Sequence, residues 1–182
     1  MSNCRPVMDP WVLARPKLAG KRKYYGAYPA GFLERARFAL GASIHDPVLH
    51  VCGGMARFYP YPRGFGKRDQ TLDLDPALEP DFCQDARKPW PLMHHGESWA
   101  HILVDPPYSP EDADKYKAGR KVLPTPTELL RRAREVLIPG GRVGLLHYIW
   151  ARPTAGLRSV AMFPIAVGFG NRLRVFGVYE AE

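Results

Sequence analysis

The chain has 182 residues, of which 46% are hydrophobic and 12% aromatic, and this composition supports one domain with a buried core. Its three cysteines show no close pairing, so neither a disulfide framework nor a zinc site is expected, and we predict no bound metal. The most apolar stretch is short and contains a proline, which argues against a membrane span and a signal peptide and favours a cytoplasmic location.

The net charge of +8 is concentrated at the start of the chain, where the first forty residues hold eight Lys/Arg and only two acids. We predict that residues 1–23 form a basic arm, which can be flexible, and that residues 24–182 form a single domain. The arm includes Lys21, Arg22 and Lys23, beside tyrosines that offer faces for stacking. This pattern is typical of a nucleic-acid contact and equally of a solvated tail.

The first predicted element is a short amphipathic helix over residues 29–40, which Gly41 ends. Apolar runs bounded by turn residues then predict four buried strands of the kind found in parallel sheets. These strands span residues 48–52, 71–74, 81–83 and 100–104. The segment 55–69 is rich in proline and glycine, so its crossover is expected to be short or irregular.

The best-defined element is a helix over residues 126–138, with Thr125 as its N-cap and Glu128 completing a capping box. A turn at residues 139–141 follows it. The last three predicted strands are 142–148, 159–167 and 173–179. This order of elements predicts an α/β, Rossmann-like fold with a mostly parallel sheet, flanking helices and a C-terminal antiparallel hairpin. Ligands of such sheets bind beyond the carboxyl ends of the strands.

Candidate ligand-binding residues follow the first three strands. Gly53 and Gly54 let a ligand approach the backbone closely, although a plain tight turn explains them as well. Asp73 stands at a strand end, where a carboxylate can accept hydrogen bonds from ribose hydroxyls or cap the next turn. Asp85 follows the third strand, and its carboxylate suits an adenine amino group.

Asp105, Pro106, Pro107 and Tyr108 follow the fourth strand directly. The two prolines stiffen the loop and remove backbone donors, so its carbonyls are available as acceptors. The amino nitrogen of a nucleobase is a poor nucleophile and needs positioning more than a strong base. Asp105 and the Pro106 carbonyl can each accept one of its N–H groups while Tyr108 stacks on the base. The sequence therefore predicts a catalytic loop that acts on an exocyclic amine.

These motifs resemble those of class I S-adenosylmethionine-dependent amino-methyltransferases, especially the small DNA N6-adenine methylases of bacteria and phages. The glycine turn is similar to motif I, the two strand-end acids to motifs II and III, and the loop opened by Asp105 to motif IV. The resemblance makes residues 24–182 a methyltransferase domain and implies S-adenosylmethionine as the cofactor. The cofactor-binding residues that it implies are Tyr28, Pro29, His50, Cys52, Gly53, Gly54, Asp73, Leu74, Asp85 and Ala86. His50 stands where many members have an acid.

The resemblance implies direct in-line methylation of adenine N6, with DNA favoured over RNA as the nucleic-acid substrate. Three alternatives stay open: an RNA base amino-methyltransferase acting on guanine N2 or adenine N6, a DNA N4-cytosine methyltransferase, and a non-catalytic nucleic-acid-binding subunit of a methyltransferase complex. The predicted nucleic-acid contacts are Lys21, Arg22, Lys23, Lys115, Lys117, Arg120 and Lys121. Because no insert is large enough for a target-recognition domain, a partner subunit or a homodimer is a further expectation.

Overall fold

The computed structural model describes residues 6–14, 28–59, 64–115, 123–168 and 173–182, apart from the side chains of His94 and Lys115. Within these ranges the chain forms a nine-stranded sheet with helices on both faces. The strands are β1 (Val7–Met8), β2 (Trp11–Leu13), β3 (Leu49–Val51), β4 (Gln70–Asp73), β5 (Phe82–Cys83), β6 (Trp99–Val104), β7 (Leu137–His147), β8 (Leu157–Val167) and β9 (Arg174–Ala181). The helices are α1 (Phe32–Leu40), α2 (Pro110–Lys115) and α3 (Pro126–Val136).

The sheet is mostly parallel. Its strand order is β1-β8-β9-β7-β6-β3-β4-β5, and β2 also pairs with β8. The group from β3 to β7 is parallel throughout, whereas β9 lies antiparallel between β7 and β8. This arrangement confirms the predicted Rossmann-like sheet with its C-terminal antiparallel hairpin. In the described part of the chain, no helix is long and apolar enough to cross a membrane.

Local signals define the ends of the two longer helices. Thr125 caps α3, because its Oγ1 accepts a hydrogen bond from the Glu128 N–H at 3.2 Å. α1 ends at Gly41, whose φ of 76° lies in the left-handed region that favours glycine. The two helices cover opposite faces of the sheet, with Leu130 of α3 in one hydrophobic core and Phe32 of α1 in the other. Each fully buried side chain of this kind contributes about 1.5–3 kcal/mol to stability.

Two strands lie inside the predicted N-terminal arm. β1 and β2 continue one register along β8, with Val7 opposite Ala161 and Trp11 opposite Ile165. The Trp11 ring is buried and stacks on Phe163, with ring centroids 4.3 Å apart. These strands belong to the sheet because Trp11 fills a place in the core, a long-range contact that local periodicity does not indicate. The predicted boundary after residue 23 lies outside the described residues.

The junction between α3 and β7 also differs from the prediction. β7 begins directly after α3, so the predicted turn at residues 139–141 lies within the strand. The register with β6 shifts at this point, since Trp99 pairs with Leu137 whereas His101 pairs with Arg142. The predicted turn residues therefore form an irregularity in one continuous strand instead of separating two elements.

Candidate active site

Loops that carry the predicted cofactor and catalytic residues meet at one edge of the sheet. β5, β4, β3 and β6 are neighbours and run parallel, so their carboxyl ends lie side by side. Backbone hydrogen bonds continue past the strand ends, from Cys52 N–H to Leu72 O at 2.8 Å and from Asp105 N–H to Val51 O at 3.1 Å. The first residue of each loop is therefore fixed relative to its neighbouring strand.

Asp73 holds the glycine turn in place. Its Oδ2 accepts a hydrogen bond from Gly54 N–H at 3.1 Å, and its Oδ1 accepts one from Asp75 N–H at 3.1 Å. A Cβ on Gly53 would lie 2.9 Å from His50 Cβ, so a larger residue does not fit without a shift. Burial raises the pKa of Asp73, although these backbone donors oppose the rise. Both oxygens keep further capacity to accept hydrogen bonds from a ligand.

Cys52 directly precedes the glycine turn. Its φ of 54° lies in the left-handed region, a backbone conformation that residues other than glycine rarely adopt. Burial raises the pKa of its thiol well above the usual value, and the negative charges of Asp73, Asp105 and Asp85 raise it further. Each of these three acids therefore lies within electrostatic range of the thiol.

The predicted catalytic loop contains a carboxyl group whose pKa is strongly raised. Burial raises the pKa of Asp105 to about 6, against the lowering effects of the Arg174 charge and a hydrogen bond from Tyr108. The Tyr108 hydroxyl donates that bond to Asp105 Oδ1 at 2.5 Å. Pro106 is buried and Pro107 half-buried between them. An acid with this pKa is ionised at neutral pH and can still hold a proton briefly, as proton transfer requires.

The Tyr108 ring packs against residues that the sequence did not identify. Its centroid lies 4.4 Å from that of Tyr148 and 5.2 Å from that of His147, at the end of β7. The Arg174 guanidinium carbon lies 5.5 Å from the centroid of the same ring. The position of Tyr148 directly after a strand could have been found by the rule that located Asp105. Arg174 opens an antiparallel strand, and no local signal places such a residue at this edge.

The segment before α1 reaches the neighbourhood of the catalytic loop. Tyr28 and Pro29 are buried, and the Tyr28 ring stacks on Phe32 with centroids 5.1 Å apart. The Tyr28 carbonyl accepts a hydrogen bond from the Tyr59 hydroxyl at 3.1 Å. Burial raises the pKa of Tyr59 to about 12, and the charge of Asp105 contributes to the rise. Tyr59 therefore lies within electrostatic range of Asp105.

His50 packs against Gly53 of the glycine turn, and its side chain bonds within the protein core. Its Nε2 lies 3.0 Å from Asp69 Oδ2, which also accepts a hydrogen bond from Arg37 Nη1 at 2.6 Å. All three side chains are buried, and the His50 ring packs against Phe65 with centroids 5.0 Å apart. Because neighbouring residues of a strand face opposite sides of a sheet, the His50 side chain lies on the α1 face, in a buried ion-pair network.

The remaining predicted cofactor residues follow β4 and β5. Asp85 Oδ2 forms an ion pair with Arg87 Nη2 at 2.9 Å, so a guanidinium group already engages this carboxylate. Ala86 is buried, and its carbonyl accepts a hydrogen bond from Trp90 Nε1 at 2.7 Å. Leu74 is half-buried in the turn after Asp73. The backbone of this region is therefore anchored from the core side.

Most predicted nucleic-acid contacts lie outside the described residues, namely Lys21, Arg22, Lys23, Lys117, Arg120 and Lys121. Lys115 is the last residue of α2, and its side chain also falls outside the description. α2 begins one residue after Ser109, whose Oγ accepts a hydrogen bond from Asp112 N–H at 3.2 Å. A helical turn therefore follows the catalytic loop closely, and the nucleic-acid contacts remain predictions.

Solved structures share this fold at low sequence identity. TrmN from Thermus thermophilus has a TM-score of 0.56 at 18% identity, over 87% of this chain and 50% of that one. The glycopeptide N-methyltransferase MtfA, complexed with S-adenosyl-L-homocysteine, has a TM-score of 0.55 at 14% identity, over 90% and 94%. The N-methyltransferase NodS from Bradyrhizobium japonicum WM9, also complexed with S-adenosyl-L-homocysteine, has a TM-score of 0.51 at 13% identity, over 82% and 83%.

The chain thus spans about half the length of TrmN and most of the length of the other two proteins. No protein-family model and no curated protein matches the sequence. At these identities the likeness establishes the fold, which is the class I, Rossmann-like methyltransferase fold. A fold of this kind carries many activities, so the activity has to follow from the residues of the site.

Proposed function

We propose that the chain is an S-adenosylmethionine-dependent methyltransferase that methylates N6 of adenine in DNA. The observation that carries the proposal is the position of the loop opened by Asp105, beside the glycine turn and at the edge where Asp73 and Asp85 also lie. The fold supports methyl transfer, and MtfA and NodS, which share it, bind S-adenosyl-L-homocysteine in their structures.

In this proposal S-adenosylmethionine binds to the loops that follow β3, β4 and β5, where Asp73, Asp85 and Asp105 lie within electrostatic range of Cys52. Asp73 has lone pairs for ribose hydroxyls beside those used by backbone N–H groups. Asp85 would hold the adenine amino group, and the segment of Tyr28 would line the methionine end. The cofactor supplies a methyl group that the adjacent sulfonium makes electrophilic.

The residues of the loop position the amine and manage its proton. Asp105 and the Pro106 carbonyl each accept one N–H, which orients the nitrogen lone pair toward the incoming methyl carbon. Formation of the N–C bond would be matched by cleavage of the methyl–sulfur bond, which would release S-adenosylhomocysteine, and the nitrogen would be left with one excess proton. With a pKa of about 6, Asp105 is ionised at neutral pH, accepts this proton and releases it to solvent. Tyr108 provides an aromatic face for the base.

Two substitutions test the separate roles of the acids. Asp105→Ala is expected to lower labelled-methyl transfer to DNA by about 100-fold or more, as loss of a positioned proton acceptor does, and to leave cofactor affinity intact. Asp73→Ala is expected to weaken cofactor affinity by roughly 10- to 100-fold, measured by calorimetry, because hydrogen bonds to a charged group are lost. Near-normal transfer by folded Asp105→Ala would contradict the mechanism, and equal affinity in both variants would contradict the site assignment.

The identity of the target has its own test. The net charge of +8 favours a polyanionic substrate. We would incubate the protein with labelled cofactor and mixed DNA and RNA, and identify the modified nucleoside by mass spectrometry. N6-methyldeoxyadenosine is the expected product. A methylated guanine, cytosine or RNA adenine would replace the proposed target, whereas nucleic-acid binding without any S-adenosylhomocysteine production would point to a non-catalytic subunit.

A further inference from the structure

The residues that follow β7 lie at the same edge as the catalytic loop. β6 and β7 run parallel, with Val104 opposite Leu145, so both strands end on the same side of the sheet. The Tyr148 ring lies 4.4 Å from the Tyr108 ring, centroid to centroid. The next residues therefore flank the place where the proposed target base would meet Asp105.

Two large apolar side chains of this segment face solvent. Ile149 is 56% exposed and Trp150 is 42% exposed. Their backbone is anchored, because the buried Ala151 accepts a hydrogen bond from the Tyr179 hydroxyl at 2.7 Å and Ile149 N–H donates to His147 Nδ1 at 3.3 Å. The anchored backbone presents both side chains outward, and exposed apolar pairs of this kind beside a site commonly mark a binding surface.

Positive charge accompanies these apolar side chains. Arg152 is exposed shortly after Trp150, and the Arg174 guanidinium lies over the Tyr108 ring at 5.5 Å. Aromatic faces beside guanidinium groups match the chemistry of a nucleotide, whose base stacks and whose phosphate pairs with a cation. The overall charge of +8 favours the same polyanionic ligand.

We propose that the segment 148–152 binds the nucleotide next to the target base, with the base of that nucleotide stacked on Trp150 and its phosphate against Arg152. This inference rests on the proposed function, and it implies that the substrate is single-stranded DNA. In a duplex the neighbouring base stays paired and stacked, so it does not reach a second aromatic side chain. In an unpaired strand the target and its neighbour can both leave the stack at little cost.

Equilibrium binding of a short, fluorescein-labelled single-stranded oligodeoxynucleotide containing adenine tests this site without any need for activity. Trp150→Ala is expected to weaken binding roughly 5- to 150-fold, as the loss of one base–aromatic stack does, and Trp150→Phe is expected to retain most of the affinity. Arg152→Gln should weaken binding and make the dependence of affinity on salt concentration less steep, by about the contribution of one phosphate contact. Phe38→Ala is the matched control, because Phe38 is an aromatic side chain on α1 that is 87% exposed, and its affinity should not change.

Circular dichroism would establish that each variant is folded. Unchanged single-strand affinity in folded Trp150→Ala overturns the proposal and favours a protein contact for this apolar pair. Tighter binding of the matching duplex than of the single strand also overturns it. The result is separable from the proposed function, since equilibrium binding of the strand is measured without methyl transfer. If binding depends on Trp150 but the wild-type protein methylates no nucleic acid, the proposed activity is contradicted and the proposed nucleotide site is still supported.

Discussion

Replacing Asp105 by asparagine is expected to make the protein more stable while removing its proposed activity. Burial raises the pKa of Asp105 to about 6, which means that the folded protein disfavours the charged carboxylate. An asparagine side chain has nearly the same shape, still accepts a hydrogen bond from the Tyr108 hydroxyl, and carries no charge. The substitution therefore removes an unfavourable electrostatic contribution and leaves the packing unchanged.

The size and sign of the effect follow from the pKa values in the two states. The pKa rises from 3.8 to about 6 on folding, which corresponds to about 3 kcal/mol. Between these two pH values the folded state binds a proton that the unfolded state has lost, so stability falls as pH rises through this window and stays low above it. Asp105→Asn should gain about 2–3 kcal/mol near pH 8, and almost nothing near pH 4.

Urea unfolding, followed by tryptophan fluorescence at about pH 4, 6 and 8, measures this gain. Asp114→Asn is the control, since Asp114 is an exposed carboxylate on α2 and its removal should change stability by less than about 0.5 kcal/mol at each pH. A loss of stability in Asp105→Asn at pH 8, or an equal gain at pH 4 and pH 8, would refute the reasoning. A gain in stability together with lost transfer marks a residue retained for function.

Three further predictions concern pH, accessibility and the buried network. The kcat/KM for methyl transfer should fall below a pH of about 6, where Asp105 becomes protonated. Tyr108→Phe should move this fall to higher pH, because the substitution removes a hydrogen bond that lowers the pKa of Asp105. A fall at an unchanged pH would contradict the assignment. A maleimide should modify the exposed Cys83 before Cys52, and S-adenosylhomocysteine should protect only Cys52, as peptide mass spectrometry can measure. Asp69→Ala should lower the free energy of unfolding in urea by about 3–5 kcal/mol, because it leaves the buried Arg37 without its carboxylate partner. A decrease below about 1 kcal/mol would argue against the buried network.

Features that depend on neighbours in sequence were predictable. The N-cap at Thr125 and the helix end at Gly41 are set by local hydrogen bonding and backbone conformation, so a few residues suffice to identify them. The edge position of Asp105 was predictable for a similar reason, because the residue after a parallel strand lies at the ligand-binding edge whatever the rest of the sheet does.

Features that depend on distant strands were not predictable from pattern alone. The pairing of Val7 with Ala161 joins the two ends of the chain, and neither end carries a local signal for it. Arg174 lies near Tyr108 because β9 inserts antiparallel between β7 and β8, and this topology is set only when the sheet is assembled. The buried contacts of His50 with Arg37 and Asp69 also join distant parts of the chain, and the motif that includes His50 does not indicate them.

The hydroxyl of Tyr108 already occupies Asp105 Oδ1 before any base arrives. Because a carboxylate has two oxygens, each with two lone pairs, an N–H group of the incoming base can bind Asp105 beside this phenol. A base that presents a carbonyl oxygen at the same position would meet a repelling carboxylate. Under the proposed function, the loop therefore selects hydrogen-bond donors over acceptors before the reaction begins.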